Sequence, residues 1–117
     1  MNGPLTIRRG DLLTVRLDPV EGSEQGGTRP VLVVSSDILN RNLPVVTIAV
    51  ITSRRTERVF PTEVLLEPPE GGLTKRSKVL LHQVRTISGS RAERKIGSLK
   101  PRTMALVDEA LRIALDV

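Results

Sequence analysis

The chain has no cysteine, tryptophan or tyrosine, one phenylalanine (Phe60) and one histidine (His82). Without cysteine there is no disulfide framework and no thiolate chemistry, and a reducing cytoplasm is the expected compartment. A single histidine with no acidic residues at metal-ligand spacing argues against a zinc site, so no metal and no cofactor is expected. A Ser-His-Asp triad rests on His82 alone, and no serine has the surroundings of a nucleophile elbow. His82 reads more simply as a structural or surface residue. Phosphate-loop and dinucleotide-loop glycine patterns are missing too. The longest apolar stretch, Val45 to Ile51, is interrupted by Thr47 and falls far short of a membrane span. The first residues lack the apolar run of a signal peptide, so no membrane role is expected.

Rings are also scarce. Proteins that hold single-stranded nucleic acid usually stack bases on aromatic side chains, at about 1–3 kcal/mol per base. Any base recognition by this chain must rest mainly on hydrogen bonds and on arginine planes.

The 117 residues fit one domain, spanning 1–117. Val, Leu and Ile dominate its apolar content, which favours strands at least as much as helices. The net charge of +5 is unevenly placed. Residues 1–53 balance to zero. Residues 75–102 carry nine basic side chains (Lys75, Arg76, Lys78, Arg85, Arg91, Arg94, Lys95, Lys100 and Arg102) against Glu93, a local +8. Such a stretch suits an anionic partner, either nucleic acid or an acidic protein.

The spacing predicts a first strand at 12–17 and a glycine- and proline-rich loop over 19–30. Two unbroken apolar strands follow at 31–34 and 45–52, each buried on both faces. A helical turn at 36–40 is capped by Ser35 or Ser36. Shorter strands are expected at 62–66, 77–81 and 84–88, with a turn at 68–72. The last segment changes period. Met104, Val107, Leu111, Ala114 and Leu115 share one helical face, with Pro101 in the first turn. Leu106, Ala110 and Ile113 form a second stripe, so the helix has one side for the strands and another for a partner subunit.

The loop Glu21-Gly22-Ser23-Glu24-Gln25-Gly26-Gly27-Thr28-Arg29-Pro30 sets polar groups on a glycine frame directly before a buried strand. That arrangement suits the holding of a polar substrate. Here the sequence resembles a known family. Arg9-Gly10-Asp11, Leu17-Asp18-Pro19, Gly22-Ser23-Glu24-Gln25 and Arg29-Pro30-Val31-Leu32-Val33-Val34-Ser35 are similar to the MazF/PemK/Kid toxins of bacterial toxin–antitoxin systems. The likeness continues through Ile51-Thr52-Ser53, Phe60-Pro61-Thr62-Glu63-Val64, Gly72-Leu73, His82-Gln83-Val84-Arg85-Thr86 and Ile96-Gly97-Ser98-Leu99, and covers about residues 8–115.

The resemblance implies a mainly β fold with a C-terminal α-helix: a small SH3-like barrel of the CcdB/Kid/MazF type, paired as a homodimer. It implies a metal-independent endoribonuclease that cuts single-stranded RNA, often messenger RNA, at a short sequence. The products carry 2′,3′-cyclic phosphate and 5′-hydroxyl ends. It also implies an acidic antitoxin partner of the MazE kind, whose tail would fold across the basic surface.

The composition suits that chemistry, because the substrate's own 2′-hydroxyl is the nucleophile. The protein must align three atoms and stabilise charge on the phosphoryl oxygens. Arg29 is the expected charge stabiliser and Thr52 the expected hydroxyl donor. Glu24 is a candidate base, and the assignment of the base stays open. Ser23, Gln25, Ser53, Arg54, Gln83 and Arg85 are the expected RNA contacts, with Arg55 and Arg58 nearby. Two other readings remain at this point: a non-enzymatic inhibitor of DNA gyrase, and an RNA-binding module without catalysis.

Overall fold

The computed structural model describes residues 5–17 and 27–117. Six strands form one antiparallel sheet: β1 (Asp11–Leu17), β2 (Gly27–Val33), β3 (Val45–Thr52), β4 (Glu63–Leu66), β5 (Ser77–Ser88) and β6 (Ala92–Ser98). Two helices accompany it, α1 (Asp37–Asn42) and α2 (Pro101–Leu115). The strand order is β4-β5-β3-β2-β1-β6. The sheet is barrel-like without being closed by hydrogen bonds, since β4 and β6 remain its two edges.

Both faces of the central strands are buried, which explains their unbroken apolar runs. Leu12, Leu32, Ala49, Ile51 and Val79 pack on one side with Val64 and Leu66 of β4 and Val107 and Ala110 of α2. Leu13, Val15, Val31, Val33, Val46, Ile48 and Ile87 form a second cluster on the other side. α2 buries Thr103, Val107 and Ala110, while Leu106, Ile113 and Leu115 lie exposed. Ala110 therefore belongs to the core-facing stripe, and Leu115 does not.

Three expectations change. Gly27 to Pro30 are strand rather than loop, because they pair with Leu17 to Thr14 of β1. The stretches 77–81 and 84–88 are one strand, carried past a bulge. Val84 pairs with Ala49 and Leu80 with Val50, so Leu81 to Gln83 bow out between them. β6 had no strand signal, being mostly polar and holding no buried residue; it is an edge strand ordered by β1.

α1 is capped by Ser36, whose hydroxyl accepts the Leu39 N–H at 3.3 Å. Asp37 Oδ1 accepts the Arg9 N–H at 2.7 Å and the Asn40 side-chain N–H at 3.1 Å, and these bonds hold the Asp37 carboxyl below its ordinary value. Arg9 also bonds Asp108 of α2 at 2.8 Å, tying the chain's beginning to its end.

The two sheet edges meet through glycine. The short 3-10 turn Glu70–Gly72, which follows β4, lies against β6. A Cβ on Gly72 would overlap the Ile96 carbonyl, and one on Gly97 would overlap the backbone of Gly71. Gly72 also has φ +80°, a left-handed conformation that side chains rarely adopt. Gly72→Ala is expected to lower stability by about 2–3 kcal/mol, combining backbone strain with forced separation of the edges. A urea titration with unchanged m-value checks it.

Candidate active site

The ladder between β2 and β3 has only three rungs, Val33 with Ile48, Leu32 with Ala49 and Val31 with Val50. Pro30 follows next on β2 and has no N–H to offer another strand. Beyond it the two strands part. Continuing their register two residues sets Arg29 opposite Thr52. The gap between them is a cavity of about 250 Å³, lined by Arg29, Pro30, Ile51, Thr52, Ser53 and Arg54 on one side of the sheet order and by Leu73, Thr74, Lys75 and Ser77 from the approach to β5.

Arg29, Thr52, Ser53 and Arg54, four of the residues singled out in the sequence, line this one cavity. Arg29 and Thr52 are both half-buried. The Arg54 N–H donates to Thr52 Oγ1 at 3.1 Å. This local side-chain bond fixes the hydroxyl and leaves its own proton for another acceptor. Three cations, Arg29, Arg54 and Lys75, line the same cavity. Neither Arg54 nor Lys75 forms an ion pair among the described residues. Such a cavity is suited to a phosphodiester: a guanidinium fork for two oxygens, a hydroxyl donor beside it, and further positive charge around them.

Gln83 and Arg85 sit elsewhere. Gln83 belongs to the bulge of β5 and Arg85 pairs with Ile48, so both are exposed along the strand beyond the cavity lining. Ser23, Glu24 and Gln25 lie outside the described residues. Thr74, Lys75 and Ser77 were not expected here. Lys75 stood at the head of the basic stretch, and that charge was the only signal for it.

The basic stretch does not survive as one surface. Arg76 bonds Glu67 at 3.0 Å, Lys95 bonds Asp11 at 3.3 Å, and Lys78 is buried against Glu63 at 2.9 Å. His82 accordingly takes a local role, its Nδ1 lying 3.0 Å from Thr62 Oγ1. No group of three or more His, Cys, Asp or Glu among the described residues is arranged to hold a metal ion. No helix among them is long and apolar enough to cross a membrane.

Comparison with known proteins gives the family of the chain. Residues 8–115 match the family model described as the PemK-like, MazF-like toxin of type II toxin–antitoxin systems. The chain is 43% identical over 111 residues to the endoribonuclease EndoA of Bacillus subtilis, covering 95% of this chain and 96% of that one. Among solved structures it is similar to a MazE–MazF complex from Deinococcus radiodurans, with a TM-score of 0.78 at 29% identity over 97% of this chain and 98% of that one. It is also similar to a mycobacterial endoribonuclease in complex with its cognate antitoxin, with a TM-score of 0.77 at 27% identity over 95% and 96%. The open six-stranded sheet, the C-terminal helix and the full-length match together place this chain in the PemK/MazF family of toxin endoribonucleases.

Proposed function

We propose that this chain cuts single-stranded RNA at the cavity between β2 and β3, with Arg29 and Thr52 clamping the scissile phosphate. The observation that carries the reading is that two groups suited to one phosphate line a single cavity where the ladder opens. In the reaction the ribose 2′-oxygen bonds to phosphorus and the bond from phosphorus to the 5′-oxygen breaks. The 2′-hydroxyl proton goes to a base and the leaving oxygen takes a proton. Arg29 donates hydrogen bonds to the non-bridging oxygens as charge grows on them. Thr52 donates its hydroxyl proton to the same group, oriented by the Arg54 N–H. Glu24 is the proposed base.

Ser53, Arg54 and Lys75 would hold neighbouring phosphates. Ser23 and Gln25 are proposed contacts from the loop before β2, and Gln83 and Arg85 are proposed contacts further along β5. The test is an oligonucleotide with 2′-deoxyribose at the cleaved position, incubated in chelator. Cleavage of the all-RNA control without metal, loss of cleavage in the deoxy strand, and cyclic phosphate ends are expected. Cutting of the deoxy strand would overturn the reading.

The chain is further proposed to act in the cytoplasm as one domain over 1–117 and as a homodimer. Exposed Ile38 on α1, Leu43 just after it, and Leu106 and Ile113 on α2 supply apolar surface for a second copy. Light scattering at micromolar concentration is expected to give twice the chain mass. The antitoxin is proposed to place an acidic segment over Arg29, Arg54 and Lys75, in competition with RNA. Solved complexes of relatives with their antitoxins support an antitoxin as partner. An acidic peptide that inhibits cleavage, with inhibition relieved by salt, is the expected result.

A further inference from the structure

Lys78 is 5% exposed, and the proposed cleavage gives it no role. It lies on β5 directly opposite Thr52 and opposite Leu65 of β4, so Thr52, Lys78 and Leu65 share one face of the sheet. Its ammonium donates to Glu63 Oε1 at 2.9 Å and to the Arg58 carbonyl at 2.8 Å. The two side chains of the pair are each 6% exposed. Glu63 Oε1 also accepts the Phe60 N–H at 3.0 Å, and the Glu63 N–H donates to the Phe60 carbonyl at 2.9 Å.

Apart from the ion pair itself, which joins β4 to β5, these bonds fall on the loop 53–62, which joins β3 to β4. At its near end Arg54 is bonded to Thr52. In its middle Arg55 takes φ +54° and its carbonyl accepts the Arg58 N–H at 3.3 Å. At its far end the Arg58 guanidinium lies 5.8 Å from the Phe60 ring centroid. The loop carries three arginines, of which Arg54 lines the cavity, and holds no buried apolar residue of its own. Its order therefore depends on polar tethers, and the buried pair supplies two of them.

A buried ion pair is a poor way to gain stability, because desolvation offsets most of the attraction and an apolar pair of like size often does as well. An apolar pair cannot hold a backbone carbonyl and a backbone N–H. We propose that Lys78 and Glu63 are positioning residues that brace this loop over β5, so that Arg54, Arg55 and Arg58 meet the RNA backbone already ordered. The proposal rests on the reading of the cavity as the RNA site. It makes the pair a determinant of RNA affinity without touching RNA.

The test replaces the pair together, Lys78→Met with Glu63→Leu, in the full chain. A non-cleavable RNA with 2′-deoxyribose at the cleaved position serves for binding, and all-RNA serves for kinetics. The expected result is a native circular dichroism spectrum, a KM raised about tenfold and a kcat changed by less than about threefold. The slope of log Kd against log salt should flatten by about 0.7 for each arginine that no longer meets a phosphate. A folded double variant with the wild-type KM and salt slope would overturn the brace.

Arg29→Ala and Thr52→Val run beside it separate the two claims. If they lose cleavage while the double variant behaves as wild type, the brace alone fails. If they cleave normally, the site reading fails. Should the double variant not fold, amide exchange in the wild-type protein decides. Phe60 N–H is expected to exchange at least tenfold slower than the unbonded amides of exposed loop residues, and exchange at the free-loop rate overturns the proposal.

Discussion

Replacing Arg29 by alanine is expected to lower kcat for RNA cleavage by about 10²- to 10³-fold while leaving the melting temperature nearly unchanged. The rate effect follows from what the guanidinium would do. Charge accumulates on the non-bridging oxygens only as the 2′-oxygen attacks, so a fixed donor there favours the transition state over the bound substrate. Loss of one such donor in other enzymes costs on the order of 10²–10³ in kcat. Tolerance of the change follows from position. Arg29 is half-buried on β2, past the last rung to β3, and belongs to neither apolar cluster. Arg29→Lys keeps the charge and loses the two-pronged geometry, so it should recover only part of the rate. Single-turnover cleavage beside a thermal melt checks both. A folded Arg29→Ala protein with full activity would remove Arg29 from the mechanism.

The second large effect concerns stability. Lys78→Met alone is expected to cost about 3–5 kcal/mol, because it leaves the Glu63 carboxylate buried without its cation. For a chain of this size that is on the order of a 10–20 °C fall in Tm. The double replacement should restore most of it, and this contrast marks the single variant's loss as an uncompensated charge.

The pH dependence has a definite sign. Burial pushes the Glu63 carboxyl upward, but the Lys78 hydrogen bond, the Phe60 N–H and the charges of Lys78 and His82 outweigh it and hold it below its ordinary value. A carboxyl lowered by folding stabilises the protein above its unfolded pKa of about 4.3, and that contribution fades as pH falls through the lower folded value. Without Lys78, burial instead favours the neutral acid. The gap between wild type and Lys78→Met should therefore be widest near neutral pH and narrow below about pH 4. A gap that stays constant from pH 7 to pH 3.5 would contradict the assigned charge state.

How much of this was legible beforehand depended on the range of the signal. β3 was readable to its bounds because Val45 to Thr52 is apolar on both faces and ends in polar residues. The last helix was readable from Pro101 and its 3.6-residue period. β6 was hidden because an edge strand needs no apolar pattern; the order comes from β1, some eighty residues earlier. The bulge in β5 was hidden because it belongs to a register between strands rather than to either strand.

The site divides in the same way. Arg29 and Thr52 were named through a family likeness and Arg54 from its place just after Thr52, and the fold sets all three around one cavity. Lys75 and Lys78 looked like parts of one basic surface. Only the fold separates the lysine that lines the cavity from the lysine that lies buried against Glu63. Local charge counting cannot make that distinction, because the partner acid sits fifteen residues away on another strand.

The glycine contact between the 3-10 turn and β6 has a further consequence. A seam closed there by packing and by one hydrogen bond, from the Lys100 N–H to Glu70 Oε2, can come undone without shearing any rung between β3 and β5. β6 leads directly into α2, so once its five pairings with β1 also break, both would peel away as one flap. The peeled form would uncover Leu66, Val79 and Leu81 together with the free side of β4. That newly bared strip is a ready template for a neighbouring chain, so clumping on heating should begin from this flap, well before the central strands separate.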